Sequence, residues 1–452
     1  MVVKLLSDLP AELLIRVGEC LEAKDCASLS ATNSSFRDFL ASTVFRGLRA
    51  SSLPEHAEAL EGIVKKHARH IHKVHLEVHL NESEAAKDDV YTVSSTAPIV
   101  WELLSRQNLP NVSTLRITFC PEPDNYDGGG WCDEGLGGGI YINDSEESID
   151  EVPGAEATFP WRALYTKAFE SIANGSKALH RLEVHNLPPK TTSAQQTPEW
   201  RTFLGGLEEF ELSLWGGDNG VGWHSNTLAG YLESIENLQN TFFQHLTGAN
   251  KVSLIAHYDN PIGCDGMRQV SLPFQPKDLP KVEHLTLQDC FVDHNLLRNL
   301  AKKPGQLKSL HLNNCFSAGN DENPGLADIV VPWAEFFSAL RRTQPNLEEF
   351  ILTENRVPPL THEEQFPGHY GDRDPHNYTP PDNEPDDVKA VRRGLKEDPG
   401  RRLFTYICLD DKYGMVFAYS EVNIQAFLLG EDQREFDALV EMVEGNRRGR
   451  WV

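Results

Sequence analysis

The sequence predicts an α/β protein in which three short N-terminal helices precede an irregular array of strands and helices. A hairpin and a final helix close the chain. Three observations lead to this prediction. Apolar residues recur at helical spacing within the first fifty positions. Between residues 71 and 355, a turn followed by two apolar residues with one residue between them recurs several times. The apolar pattern returns at residues 401–452, after a stretch rich in Pro and Asp.

Composition and charge exclude several classes of protein. The 452 residues include 42 Lys and Arg against 67 Asp and Glu, a net charge of −25, which argues against binding to nucleic acid or to anionic membranes. No stretch approaches the roughly 18 uninterrupted apolar residues that a membrane-spanning helix needs. The eight cysteines form no CxxC pair and indicate no disulfide framework. We therefore expect a soluble protein of the cytoplasm, the nucleus or both.

The first three helices follow from spacing and from helix-end chemistry. Pro10 suits the first turn of a helix, where its missing N–H costs nothing. An apolar face then recurs at helical intervals, formed by Leu13, Leu14, Val17 and Leu21. After a break near residues 23–25, a second short helix is expected. The cap residues 32–34 precede a third helix, which we expect to carry Phe36, Phe39, Leu40, Phe45 and Leu48.

This segment resembles an F-box, in the form found in fungi. The resemblance rests on the run LPAELL at 9–14, on Val17 and Leu21, and on the ending TN..FR at 32–37. It implies that the helices bind the Skp-type adaptor of a cullin–RING ubiquitin ligase. The residues that it would bury against the adaptor are Leu9, Pro10, Leu13, Leu14, Val17 and Leu21. The alternative is a helical cap that packs on the rest of the chain.

Eight copies of a strand-like pattern follow the helices. They occupy 71–80, 109–120, 178–187, 204–215, 248–260, 279–290, 305–315 and 344–355. Taking Leu76, Leu115, Leu182, Phe210, Val252, Leu285, Leu310 and Phe350 as equivalent, the copies are 25 to 67 residues apart. The later copies resemble leucine-rich repeats, which implies an irregular solenoid over 51–355 with helices behind its sheet. An ordinary α/β domain is the alternative, favoured by the uneven spacing.

Residues between the inward leucines should line one exposed sheet face, because side chains alternate along a strand. This face is polar and has no basic stripe, so we expect it to bind a protein segment. An acidic protein favours basic segments, and a merely solvated face is the alternative. The expected target-binding residues are His75, His79, Arg116, Glu183, His185, Glu211, Gln288, His311 and Asn313, and the same face includes Glu77, Thr118, Ser213, Thr286 and Thr353.

Three further segments complete the expected organisation. A Gly-rich acidic insertion interrupts the array at 121–160, and its glycines fit no phosphate-binding motif. Residues 356–400 are rich in Pro, Asp and His and are expected to form an exposed loop or linker. Residues 401–452 should form a hairpin, turning at 410–414, and a helix, together capping the last sheet edge of the array.

No pattern predicts a catalytic centre, a metal site or a cofactor. The pattern that most suggests a metal site is a histidine cluster at positions 67, 70, 72, 75 and 79, but no HExxH or CxxC motif accompanies it. The resemblance therefore implies a non-catalytic substrate receptor of an SCF-type ligase, which links an unknown target protein through the adaptor to a cullin. Two alternatives stay open: an adaptor-bound scaffold that sequesters a partner, and a zinc-dependent hydrolase.

Overall fold

The computed structural model describes residues 9–80, 93–120, 146–219, 222–264, 270–275, 277–318, 331–354, 357–365, 383–410 and 412–449. The chain divides into two compact units. The first unit comprises Met1–Gly129, Ile149–Leu187 and Thr192–Leu207, and the second comprises Gly130–Ser148, Pro188–Thr191 and Glu208–Val452. Each unit is described by itself.

The fold class predicted from the sequence, an F-box followed by a leucine-rich-repeat solenoid and a cap, is wrong. Within the described residues each unit is instead an α/β fold whose main sheet strands pair in parallel. The error has a physical cause. A buried apolar strand followed by an amphipathic helix is the pattern of any parallel sheet covered by helices, so it does not specify a regular repeat. The uneven spacing of the copies pointed to the α/β alternative.

The first unit contributes four strands and eight helices to the described structure. The strands are β1 (Gly47–Ser51), β2 (Lys73–His79), β3 (Thr114–Cys120) and β4 (Arg181–Leu187). The helices are α1 (Ala11–Cys20), α2 (Ala23–Thr32), α3 (Ser34–Val44), α4 (Ala57–His67), α5 (Pro98–Ser105), α6 (Val152–Thr158), α7 (Pro160–Ala173) and α8 (Pro198–Gly205).

The three N-terminal helices lie close to their expected positions. The Asn33 side chain caps α3 by accepting a hydrogen bond of 2.8 Å from the backbone N–H of Ser35. A Cβ at Gly18 would lie 2.6 Å from Leu40 Cδ2, so glycine permits α1 to approach α3 closely. The expected third helix is too long, because α3 ends at Val44 and the next residues form β1. The expected boundary at residue 50 therefore falls inside a strand.

The strands of the first unit pack apolar residues behind the sheet in regular alternation. Leu115 pairs with Val74 on one side and with Leu182 on the other. The sequence alignment that equated Leu76 with Leu115 was thus displaced by two residues, which keeps the side chain on the same face. Behind the sheet, the Arg106 guanidinium is fully buried and donates hydrogen bonds to the carbonyls of Leu104, at 2.7 Å, Ile172 and Lys177.

The second unit contributes eight strands and seven helices to the described structure. Its strands are β5 (Glu209–Leu214), β6 (Lys251–Ile255), β7 (His284–Gln288), β8 (Ser309–Asn313), β9 (Ser317–Ala318), β10 (Glu349–Thr353), β11 (Tyr406–Leu409) and β12 (Val416–Ala418). Its helices are α9 (Ala229–Thr241), α10 (His294–Ala301), α11 (Trp333–Thr343), α12 (His362–Gln365), α13 (Asp386–Glu397), α14 (Ser420–Leu429) and α15 (Glu431–Gly449).

The register of the second unit agrees with the alignment made from the sequence. Phe210, Val252, Leu285, Leu310 and Phe350 occupy paired positions on neighbouring strands. Helices α9, α10 and α11 lie between strands in sequence, as the expected alternation of strands and helices requires. This agreement reflects the alternation of buried and half-buried residues, which is strict along β5 and β7.

The end of the chain departs from its expected description in part. The hairpin is confirmed, since β11 and β12 pair antiparallel, and β11 also pairs with β9. The expected linker 356–400 is wrong for its final part, where Val388 and Val391 of α13 are buried with Leu403, Ile424 and Phe427. The expected insertion 121–160 likewise ends in α6 and the start of α7. Residues 121–145 and 366–382 lie outside the described residues.

Candidate functional site

The N-terminal helices expose several of the apolar residues that the resemblance assigns to an adaptor. Leu13 is 47% exposed, and Leu9 and Leu21 are each 36% exposed. Pro10 is also exposed and Val17 is half-buried. Leu14 differs from the others because it is 1% exposed and lies in a cluster with Cys26, Phe36 and Leu40. Leu14 therefore holds the helices together and is not available as a contact surface.

In the first unit, the expected target-binding residues lie on one polar face of the sheet. His75 pairs in register with Arg116, which pairs with Glu183, while Thr118 pairs with His185. His79 lies on the same face at the end of β2. Their neighbours along each strand are buried apolar residues, so the faces are separated as the sequence predicted.

Ion pairs and hydrogen bonds connect this face of the first unit. The Glu183 carboxylate, 5% exposed as a residue, accepts from Arg116 and also lies 2.6 Å from Arg181 Nε. His75 Nε2 lies 3.0 Å from Thr118 Oγ1. Burial lowers the pKa of His75, and the nearby Arg116 charge lowers it further. These contacts hold the side chains of this face in a fixed arrangement.

The expected residues of the second unit also share one sheet face. Glu211 lies in the same row as His311, across β6 and β7, and Gln288 pairs directly with Asn313. His311 Nε2 lies 3.0 Å from a Glu349 carboxylate oxygen, and that hydrogen bond lowers the pKa of Glu349. All four expected residues are half-buried. The sequence thus identified the face of each strand correctly, although its binding role stays a prediction.

The five clustered histidines do not converge on one point. His67 stacks on Phe45 with ring centroids 3.7 Å apart, while His70 accepts from Arg69 Nε at 3.1 Å. His75 and His79 lie on β2, away from that stack in sequence. Among the described residues, none of the five histidines belongs to a group of three His, Cys, Asp or Glu side chains close enough to hold one metal ion.

A second group of polar and aromatic side chains gathers where β5 and β6 end, and the sequence analysis missed it. Because the strands are parallel, the loops that follow them emerge at the same edge of the sheet. We call this group the loop site and define it by six residues. They are Trp223, His224, His257, Tyr258, Asp259 and Tyr413.

Backbone and side-chain hydrogen bonds fix the loop site from three segments. The His224 N–H donates to the Tyr413 carbonyl at 3.0 Å, which ties the β5 loop to the hairpin turn. His224 Nδ1 donates to the Asp259 carbonyl at 3.1 Å. The Gly217 N–H donates to Asn260 Oδ1 at 2.7 Å, and Asn260 is fully buried. The loops are therefore held at defined positions.

The electrostatics of the loop site keep one imidazole neutral beside two carboxylates. His257 Nδ1 accepts from the Asp259 N–H at 3.3 Å, which leaves the ring proton on Nε2. Burial lowers the pKa of His257, against the opposing influence of Asp259 and Asp289. Asp289, which follows β7, is 2% exposed, and burial raises the pKa of its carboxyl group.

The aromatic residues of the loop site lie at its surface. Trp223 is 38% exposed and Tyr258 is 66% exposed. Trp223 meets Tyr413 edge to face, with ring centroids 5.2 Å apart. The Lys412 ammonium lies over the Tyr413 ring, 4.5 Å from its centroid. The site therefore already places one cation against an aromatic face.

The sequence contains a local signal for this site that is separate from the strand and helix patterns. The run WGGDNGVGWH at 215–224 combines four glycines with two tryptophans directly after a strand. Aromatic residues exposed on a loop after a parallel strand point to binding. The turn at 410–414 was predicted, but its approach to His224 depends on tertiary structure and has no local sign.

No known family model matches the chain, and no curated protein is similar to it. The assignment of function therefore depends on the residues and their geometry. In the part of the chain that the structure describes, no helix is both long and apolar enough to cross a membrane.

Proposed function

We propose that this chain is the substrate-recognition subunit of an SCF-type cullin–RING ubiquitin ligase and has no catalytic activity of its own. Its three N-terminal helices would bind the Skp-type adaptor. The observation that carries the proposal is the exposure of Leu9, Leu13 and Leu21 at positions that the resemblance assigns to the adaptor. The proposal further places the protein in the cytoplasm, the nucleus or both.

The energetics of exposed leucines support an adaptor at this surface. A leucine moved from water into an interface contributes about 1.5–3 kcal/mol when fully buried. Leu14 already fills the interior of the helix cluster, so the helices do not need Leu13 for their own packing. An apolar surface that the fold does not use marks a site for a partner.

The polar sheet faces would bind the target protein. Half-buried histidines, amides and ion pairs offer directed hydrogen bonds to a peptide segment, and the sheet holds them in register. In this proposal the chain accelerates ubiquitin transfer by proximity, because a bound target has a high effective concentration near the conjugating enzyme. No side chain of this chain is required to make or break a bond.

The test is co-purification of the tagged chain with the Skp-type adaptor and a cullin. We expect the wild-type chain to recover both, and Leu13→Asp to recover neither, since it places a charge in the apolar interface. Leu429→Asp is the matched control, because Leu429 is a leucine 74% exposed in the second unit. It should recover both partners as the wild type does.

Three outcomes decide between the candidate functions. Equal recovery with Leu13→Asp and Leu429→Asp would contradict docking through the helices. Adaptor without cullin in the wild-type sample would favour a scaffold that sequesters a partner. Recovery of neither partner by a folded wild-type chain would overturn the ligase proposal and leave the helices as an intramolecular cap.

A further inference from the structure

The loop site has the chemistry to accept a positively charged side chain. Its two most exposed aromatic rings belong to Trp223 and Tyr258. The face of an aromatic ring attracts a cation, most strongly in the case of Trp. The Lys412 ammonium on Tyr413 shows this attraction within the chain itself, and its hydrogen bond with the Tyr413 side chain raises the pKa of Lys412.

Carboxylates of the second unit add negative charge at the same place. Asp259 is half-buried between His257 and Asn260, and Asp218 is exposed on the β5 loop. A hydrogen bond with Asp259 raises the pKa of Tyr258, and the charge of Asp218 acts on the same phenol. His257 does not offset this charge at neutral pH, because burial lowers the pKa of its imidazole. A cation is therefore the complementary ligand.

The site is organised before any ligand binds. Three segments distant in sequence are joined by the hydrogen bonds from His224 to Tyr413 and to Asp259. The Asn226 amide donates to the Gly414 carbonyl at 3.0 Å, which fixes the hairpin turn beneath Tyr413. A preorganised site loses less entropy when it binds a ligand.

We propose that the loop site binds a lysine or arginine side chain in an extended segment of the target protein. Trp223 would contact the cation through a ring face, and Asp259 would pair with it. Tyr258, whose ring packs on His257 with centroids 4.6 Å apart, would offer its other face. This inference rests on the proposed function, since it names the class of target segment that the ligase subunit would recognise. The polar sheet faces would hold other parts of the same target.

The experiment measures peptide binding by the purified full-length chain with fluorescence anisotropy. The probe is a fluorescein-labelled peptide of alternating Gly and Lys, and the matched probe carries Gln in place of Lys. We expect binding of the Lys probe and none of the Gln probe. Equal binding of both probes, or no binding of the Lys probe, would overturn the inference.

Variants separate the loop site from the overall acidity of the protein. Trp223→Leu and Asp259→Asn should each raise the dissociation constant of the Lys probe about three- to fivefold. Glu335→Gln removes the same charge from an exposed position on α11 and should leave it within about 1.5-fold. If Glu335→Gln weakens binding as much as Asp259→Asn, attraction by net charge explains the result and the site is rejected. Trp223→Tyr keeps an aromatic face and should retain most of the affinity, which guards against a misfolded Trp223→Leu.

This experiment can fail independently of the adaptor test. Leu13→Asp should bind the Lys probe as tightly as the wild type, because Leu13 lies in the other unit. Loss of probe binding by a chain that still recovers the adaptor would overturn this inference alone. A chain that binds the probe but recovers no adaptor would overturn the proposed function and, with it, the assignment of this site to a ubiquitination target.

Discussion

Neighbouring leucines of α1 should respond to truncation in opposite ways. Leu14 is 1% exposed among Cys26, Phe36 and Leu40, whereas Leu13 is 47% exposed. Leu14→Ala and Leu13→Ala remove the same atoms from adjacent positions of one helix. The pair therefore separates the internal packing of the helices from their exposed surface.

The burial of each side chain gives the expected magnitude. A buried Leu→Ala loses the transfer free energy of its removed atoms and leaves a cavity, at a cost of about 2–5 kcal/mol. We expect Leu14→Ala to cost about 2–3 kcal/mol, near the lower end, because a small three-helix cluster can relax around the gap. Leu13→Ala should cost under about 1 kcal/mol, since half of its side chain is already in water.

Hydrogen exchange measured by mass spectrometry can test this pair. Peptides from 11–44 should exchange about 30-fold faster or more in Leu14→Ala, which is the factor for about 2 kcal/mol of local opening. Leu13→Ala should exchange within about fivefold of the wild type. Peptides from α11 provide an internal control, because they lie in the second unit and should be unchanged in both variants. Equal acceleration by the two variants would refute the packing described for Leu14.

Three other substitutions test separate features. Burial raises the pKa of Glu354 to about 7 from an ordinary 4.5, so the folded protein holds a proton there that the unfolded chain has lost. This contribution to stability falls as pH rises between those values, and urea midpoints of Glu354→Gln should show a weaker decline than the wild type over that window. Gly175→Ala would place Cβ 1.8 Å from Arg106 Nη2 and should lower the free energy of unfolding by about 1–3 kcal/mol in thermal or urea unfolding, and an unchanged midpoint would contradict that contact. Gly414→Ala combines a φ of 72° with a Cβ 2.0 Å from Asn226 Oδ1, so it should displace the turn that carries Tyr413. The dissociation constant of the Lys probe should then rise at least as much as in Trp223→Leu, and an unchanged value would show that the turn does not position Tyr413.

Much of the secondary structure could be predicted because strands and amphipathic helices leave local patterns. The row from Phe210 to Phe350 was aligned correctly, since alternation along each strand marks the buried face. Strand β1 was missed because Leu48 continues the helical spacing of the preceding residues. Strand β1 contains only two buried residues, too few to mark a buried face. Its pairing partner, β2, begins 22 positions after β1 ends. A strand of this kind is defined by its neighbour and not by its own sequence.

Composition also concealed structure near the end of the chain. Helix α13 follows a stretch rich in Pro and Asp and carries only two fully buried residues, Val388 and Val391. Its stability depends on Leu403 and Phe427, which arrive later in sequence. The loop site was missed for a related reason, because His224 and Tyr413 meet only through the folded chain. The fold class failed because the strand-and-helix pattern is common to several parallel architectures.

The junction between α3 and β1 contains very little free chain. Helix α3 ends at Val44 and β1 begins at Gly47, while the Arg46 carbonyl accepts hydrogen bonds from the His72 and Lys73 N–H groups at 2.9 and 3.0 Å. The stacking of Phe45 on His67 closes the same junction from the side. A torque applied to the three helices is therefore transmitted into the strands of the first unit and is not absorbed by a hinge. Any partner that fixes the helices in space also fixes the orientation of these strands. The distance from that partner to a molecule bound on the polar face is therefore set by the shape of the unit and not by the length of a linker.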